Sequence, residues 1–194
     1  MTTLTRLTTL SLIVVLTACA HPISIAPDLS KLDAPNTPAW SRTIGYHLPA
    51  GEKALQVTTP GGGGDSVSYY PYRDIEGGLY KVLSNTFDRV VLVSDPKDVA
   101  ALARDNVTLV VRPKITTQSS SDSVITWPPT FFQVQLSCTF TDVLGSSIAE
   151  VFVNGVGRAE FAEFSSDFSL AAKRASLDAL QKAQRAIGNE SRFK

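Results

Sequence analysis

The residues of this chain that could do chemistry are few, and they do not form a familiar set. Cys19 and Cys138 could act as nucleophiles or metal ligands, and His21 and His47 as bases or ligands. A metal site or a catalytic triad needs three or more convergent groups. The glycine run 61–64 lacks the Lys-Ser/Thr ending of a phosphate-binding loop, so it predicts a turn or a mobile loop. The sequence therefore predicts no catalytic residue, no metal and no cofactor.

Cys19 has the clearest context of these residues. It ends the stretch Leu16-Thr17-Ala18-Cys19, which follows the cation Arg6 and a short apolar run from Leu10. That run is too short for a permanent transmembrane helix, which needs about 20 apolar residues. A small residue before a cysteine in this setting resembles the bacterial lipobox. The resemblance implies cleavage after Ala18 and lipidation of Cys19 with diacylglycerol and an N-terminal acyl chain such as palmitate. The alternative is an ordinary secretory signal with an incidental cysteine.

The residue after the lipobox bears on localisation. In enterobacterial sorting an aspartate there retains lipoproteins in the inner membrane, and this chain has Ala20. By resemblance, the protein would be anchored in the outer membrane of a Gram-negative bacterium, at its periplasmic face. Acylation of Cys19 would leave Cys138 without a disulfide partner. Cys138 shares the parity of an apolar strand face, which favours burial over a reactive thiol.

Length and composition predict one folded domain. The 194 residues carry a formal net charge of zero, which gives no electrostatic footprint for nucleic acid. Four prolines between residues 20 and 40 predict extended, solvated backbone. The predicted organisation is a signal peptide (1–18), a lipidated cysteine with a proline-rich tether (19–40), a single α/β domain (41–188) and a tail (189–194).

Periodicity gives the fold class. Alternating apolar and polar residues predict strands at 40–48, 54–59, 67–72, 90–93, 107–116, 132–141 and 148–161. Spacings of three and four predict helices from Asp74 to Phe87, from Asp95 to Arg104, and from 165–167 to Ile187. The predicted class is α+β: a two-layer sandwich with a mixed or mainly antiparallel sheet and two main helices on one face.

A candidate partner surface comes from aromatic residues near predicted loops. Trp127 lies in the Pro-containing stretch 124–131, and Phe131 has the parity of the wet strand face. Tyr69, Tyr70 and Tyr72 follow the glycine run. Exposed aromatic residues make good anchors because they bury area with little loss of entropy. The alternative is that Trp127 and Phe131 close one end of the core.

Lipobox, tether and element order together resemble small Gram-negative outer-membrane lipoproteins with an anticodon-binding-like α/β domain. That group includes the LptE type, the YajG type and the auxiliary lipoproteins of ABC-type transporters. The resemblance implies a non-catalytic adaptor, assembly or accessory subunit of a cell-envelope complex, bound to an envelope protein. Two alternatives stay open: a carrier of a lipid or glycan ligand, and an envelope hydrolase. The carrier would need an internal apolar cavity, and the hydrolase convergent titratable groups in a cleft.

Overall fold

A computed structural model describes residues 20–35 and 38–194 of the chain. The predicted signal peptide and Cys19 lie outside these described residues. The strands are β1 (Ala20–Pro22), β2 (Trp40–Tyr46), β3 (Val57–Pro60), β4 (Ser66–Tyr69), β5 (Phe87–Leu92), β6 (Val107–Ser120), β7 (Phe131–Thr141) and β8 (Ser147–Arg158). The α-helices are α1 (Pro71–Thr86), α2 (Val99–Arg104), α3 (Phe161–Phe164) and α4 (Leu170–Gly188).

The strands form two sheets, which confirms the α+β class and adds a second, smaller sheet. The larger has five strands in the order β5-β2-β6-β7-β8: the first three are parallel, and β6, β7 and β8 form an antiparallel meander. The smaller has the order β1-β4-β3, in which β3 and β4 form a hairpin and β1 pairs in parallel with β4.

Strict alternation in the meander places one face of the large sheet in the core. Along β7, every second residue from Phe132 to Phe140 is buried, including Cys138, and the residues between them are half-buried. This confirms the alternation predicted for that strand. The opposite side of β6–β8, which we call the open face, carries mainly polar side chains.

Helices α1 and α4 cover the buried face, as predicted. The residues of α4 that face the sheet are small: Ala171, Ala172, Ala175, Ala179 and Ala183 are all at most 1% exposed. Opposite them β8 carries Gly155 and Gly157. A Cβ atom on Gly155 would overlap the carbonyl oxygen of Ala175 and the backbone nitrogen of Ala179. Helix and strand are therefore in backbone contact, a closeness that only glycine permits. The short helix α2 packs on the other side of the sheet, over Val107 and Val110.

The segment predicted to be a solvated tether is instead part of the fold. Ile25 is fully buried and Leu32 is 2% exposed. The backbone N–H of Ile23 donates to Ser68 O at 2.9 Å, and that of Ile25 to the carboxylate of Asp74 at 2.9 Å. Proline at a strand edge or in extended backbone costs no ladder hydrogen bond, so these prolines are compatible with packing. The prediction of a tether is thus wrong for the described residues 20–35.

The predicted tail at 189–194 also packs on the domain. Phe193 is 1% exposed, with its ring centroid 4.7 Å from that of Phe140 and 5.7 Å from that of Phe87. The indole N–H of Trp40 donates to Ile187 O at 2.9 Å, which holds the end of α4 against the start of β2. The folded unit therefore extends beyond the predicted boundaries 41–188 at both ends.

Helix α1 begins earlier than predicted. Pro71 occupies its first turn, a position that suits the fixed φ of proline, and Tyr70 is the N-cap residue. Asp74, predicted as the cap, lies inside the helix and accepts the hydrogen bond from Ile25. Tyr72 is consequently a helical residue and not a strand residue.

Candidate interaction surface

Two of the five aromatic residues predicted to meet a partner lie in the core. Tyr69 is 1% exposed, and its hydroxyl donates to Thr117 Oγ1 at 2.7 Å. Burial raises the pKa of the Tyr69 phenol. Tyr72 is 7% exposed, and its hydroxyl accepts the backbone N–H of Ile115 at 3.3 Å. Tyr69 connects the small sheet to the large sheet, and Tyr72 connects α1 to the large sheet. Neither side chain is therefore available to bind a partner.

Tyr70 and Trp127 are half-buried. The guanidinium of Arg73 lies 3.9 Å from the centre of the Tyr70 ring. Trp127 stacks on His21 at 4.2 Å between ring centroids and touches Phe168 at 5.0 Å. It packs against the main core, which agrees with the alternative that it closes one end of that core. Removing Trp127 would therefore disturb packing as well as any surface.

Phe131 lies on the open face, as its parity predicts. The guanidinium of Arg158, its neighbour across the β7–β8 pair, lies 4.9 Å from the centre of its ring. The same face of β8 carries Phe152, which is 61% exposed, and Val156, which is 39% exposed. Sequence reasoning missed these two, although Phe152 stands out of phase with its buried neighbours Val151 and Val153.

Ordered polar groups lie between these apolar side chains. Gln133 donates to Asn154 Oδ1 at 2.8 Å across the β7–β8 pair, and Ser137 donates to Glu150 Oε1 at 2.6 Å. A shallow depression of about 250 Å³ opens beside Phe152. Its lining residues are Lys114, Thr116, Gln135, Ser137, Glu150 and Phe152. The open face thus combines an exposed aromatic ring with fixed donors and acceptors, the composition of a recognition surface.

The outer edge of β8 is partly covered by charged side chains of α4. Arg174 donates to Arg158 O at 2.7 Å, Asp178 accepts the N–H of Val156 at 2.9 Å, and Lys182 donates to Asn154 O at 2.8 Å. Arg174 also donates to Glu163, which lowers the pKa of that carboxyl to about 2. Residues 174, 178 and 182 are four apart on α4, and the next residue at this spacing is Ala186, whose side chain cannot hydrogen-bond to the edge of β8. The cover therefore stops before Phe152.

Loop 121–130, between β6 and β7, bears the two most exposed large aliphatic side chains of the described residues. Val124 is 85% exposed and Ile125 is 88% exposed. The glycine turn 61–64 holds this loop by two backbone hydrogen bonds. Gly62 N–H donates to Trp127 O at 2.8 Å, and Gly63 N–H donates to Ser123 O at 3.2 Å. The run 61–64 is thus a docked turn, in which Gly63 and Gly64 have positive φ values of 64° and 85°.

The groups capable of chemistry lie apart. His21 Nε2 is 3.4 Å from Asp65 Oδ2, and His47 Nδ1 is 2.8 Å from Val93 O. Ser94 and Lys97 have the Ser-x-x-Lys spacing of some acyl-enzymes, but both are exposed at the turn before α2. In the described ranges, no three His, Cys, Asp or Glu side chains are grouped so that they could hold a metal ion.

The Cys138 thiol is 1% exposed, and burial raises its pKa to about 12. Because the thiolate is the reactive form, the folded chain carrying Cys19→Ser should react with Ellman's reagent at pH 8 about 100-fold more slowly than the urea-unfolded chain. Absorbance at matched protein concentrations measures both rates. Fast reaction of the folded chain would contradict the burial of this thiol.

Packing between α4 and the sheet bears on the carrier alternative. Backbone contact at Gly155 and Gly157 leaves no space for a ligand between α4 and β8. One cleft in the described part of the chain, which is open to solvent, is lined by Glu52, Arg112, Lys114 and Thr139 together with Tyr72 and Pro113. Among residues 20–35 and 38–194, none of the helices has the length and apolar composition that crossing a membrane would require.

Comparison with known proteins gives structural matches only. No protein-family model and no curated protein matches the sequence. A Helicobacter pylori homologue of a neuraminyllactose-binding hemagglutinin aligns over 82% of this chain and 88% of its own, with 13% identity and a TM-score of 0.48. A Xanthomonas campestris protein of family DUF330 aligns over 85% and 87%, with 9% identity and a TM-score of 0.41. PelC from Paraburkholderia phytofirmans, a dodecamer, aligns over 77% and 93%, with 12% identity and a TM-score of 0.35. At such identities, the function of each protein stays its own.

Proposed function

We propose that the chain is a lipid-anchored envelope protein that binds another envelope component through its open face and has no catalytic activity of its own. The observation that carries the proposal is Phe152, a large aromatic side chain 61% exposed on a regular strand, beside fixed polar groups. An aromatic ring left in water on a rigid sheet is available to bury area against a partner without a loss of backbone entropy.

The localisation of the protein is part of the same proposal. Lipidation of Cys19 would place it at the periplasmic face of the outer membrane, as the lipobox and Ala20 imply. Several acyl chains anchor far more firmly than one, at about 0.8 kcal/mol per buried CH₂ group. Mass spectrometry of the N-terminal peptide from isolated membranes tests this: an unmodified Cys19, or a mature chain starting elsewhere, would contradict it.

The partner surface is tested by replacing Phe152 with serine in the full-length protein. If Phe152 is an anchor, the substitution should reduce recovery of a co-purifying envelope protein from detergent-solubilised membranes by about 10-fold or more. Since the side chain is exposed, the free energy of unfolding should change by only about 0.5 kcal/mol or less. Quantitative mass spectrometry of the purified material measures the recovery.

Phe161 provides the matched control, because it is 66% exposed and lies on α3, outside the strands β6–β8 that form the open face. Phe161→Ser should leave partner recovery unchanged. Equal recovery from the parent and both variants would remove the open face as the binding surface. Recovery of the lipoprotein alone with a bound lipid or glycan would favour the carrier alternative.

A further inference from the structure

Three segments of the chain meet at one end of the molecule: the start of β1, the glycine turn 61–64 and loop 121–130. β1 begins there at Ala20, because Ala20 pairs with Ser66, the first residue of β4 after the glycine turn. Loop 121–130 lies against the same turn through Gly62 and Gly63. Stacking of His21 on Trp127 joins the start of the described chain directly to this loop.

This arrangement leaves no spacer between the residue at position 19 and the folded domain. Consecutive Cα atoms are about 3.8 Å apart, so a lipid attached to the residue before Ala20 lies within one residue of β1. The tip of loop 121–130, Val124 to Thr126, directly precedes Trp127 in the sequence, and Trp127 stacks on His21. A membrane that holds the chain at position 19 therefore lies against this end of the domain.

The tip of loop 121–130 has the chemistry of a membrane-inserting element. Val124 and Ile125 are adjacent aliphatic side chains that project into solvent at 85% and 88% exposure. Hydrogen bonds from the N–H groups of Ile125 and Thr126 to Ser123 Oγ, at 3.3 and 3.1 Å, hold the tip in shape. Two protruding aliphatic groups suit a fluid lipid interface, whereas a protein contact would need a preformed pocket for each.

Of the acidic side chains near this end, Asp122 is exposed in loop 121–130 itself, and three others have a basic neighbour. Glu163 is bonded to Arg174 at 2.8 Å, Asp167 to Lys173 at 2.9 Å, and Asp65 faces His21. The ion pairs of Glu163 and Asp167 reduce the net negative charge that anionic headgroups would meet. Phe168, 48% exposed beside Trp127, adds apolar surface at the same end.

We infer that Val124 and Ile125 insert into the lipid surface and fix the orientation of the domain, with the β7–β8 turn pointing away from the membrane. This inference rests on the lipid anchor of the proposed function. It adds a second membrane contact, which sets the angle at which the open face is presented.

The test uses the mature acylated protein in vesicles of phosphatidylethanolamine and phosphatidylglycerol. With Cys19 acylated and Cys138 buried, Ile125→Cys offers a single site for an environment-sensitive fluorophore. The matched control is Leu144→Cys, which lies 80% exposed in the β7–β8 turn at the opposite end. We expect blue-shifted emission and quenching by brominated lipid acyl chains for the label at 125, and neither for the label at 144.

The outcomes separate the inference from the proposed function. If the protein floats with the vesicles but the label at 125 stays in water, the anchor stands and the insertion is overturned. A shielded label at 125 that brominated lipids do not quench would mean contact with another copy of the chain, which also overturns it. If the protein does not float, the lipid anchor fails and the inference falls with it.

A second measurement removes the anchor. The chain carrying Cys19→Ser should still bind these vesicles weakly, and replacing both Val124 and Ile125 by serine should lower its partition coefficient by about tenfold or more. An equal coefficient for both chains would count against insertion. Unchanged far-ultraviolet circular dichroism would show that the double variant is folded.

Discussion

Replacing Gly155 by valine is expected to lower the free energy of unfolding by about 3 kcal/mol or more, the upper range for overpacking a core. The added Cβ would meet the backbone of α4 at Ala175 and Ala179, which cannot move aside as a side chain could. Either α4 shifts away from β8 and loses its small-residue contacts, or the strand distorts. Urea denaturation of the chain carrying Cys19→Ser, followed by tryptophan fluorescence, measures the change.

Gly51 supplies the control for this substitution. A Cβ at Gly51 meets no atom within 4 Å, and its φ of −69° is accessible to any residue. Gly51→Ala should therefore leave stability unchanged or raise it by about 0.4–1 kcal/mol through the unfolded state. A Gly155→Val chain as stable as the parent would show that α4 does not approach β8 as closely as described.

The second large effect concerns the N-terminal segment. Truncating Ile25 to alanine should destabilise the domain by about 2–5 kcal/mol, because the side chain is fully buried and the substitution leaves a cavity. The same substitution at Ile125, which is 88% exposed, should change stability by only about 0.5 kcal/mol. The two variants remove identical atoms, so their difference in urea midpoint reports burial alone.

This pair of variants decides between two descriptions of residues 20–35. If the segment were the solvated tether that its proline content predicts, Ile25→Ala and Ile125→Ala would be equally harmless. A large difference would establish that the segment is structural and that the domain begins at β1.

The parts of the fold that sequence predicts well are those with a sustained period. Alternation along β7 identifies the buried face and places Phe131 on the open one, because a strand must turn successive side chains to opposite sides. The alanine face of α4 likewise predicts close packing on a sheet. Both signals extend over ten residues or more.

Short or irregular segments account for the errors. Ile25 and Leu32 follow no period, and four prolines between residues 20 and 40 favour the prediction of solvated backbone. Phe193 is a single apolar residue beyond the last helix, and its burial depends on Trp40 and Phe87, which are distant in sequence. Pro71 could have located the start of α1, since proline favours the first helical turn.

The candidate surface could be predicted only in part for a related reason. Period alone assigns residues to faces but does not say which face the helices and the second sheet will cover. Tyr69 therefore looks as available as Phe131 in the sequence, although the hairpin β3–β4 packs its ring against Phe132 in the core. Phe152 could not be assigned to the open face from the sequence, because the adjacent Val151 and Val153 are also apolar and hide the alternation along β8.

Cover of the β8 edge by Arg174, Asp178 and Lys182 has a consequence for the order of folding. These three residues belong to α4, the last long element of the chain, so a chain emerging N-terminus first completes β8 before its cover exists. During that interval β8 presents unpaired backbone from Asn154 to Arg158, which is a template for strand addition by another chain. A product interrupted before Ser169 would keep that edge bare, and it is the species we expect to aggregate or to need a chaperone. Docking of α4 thus completes the fold and also ends the interval in which the bare edge of β8 could pair with another chain.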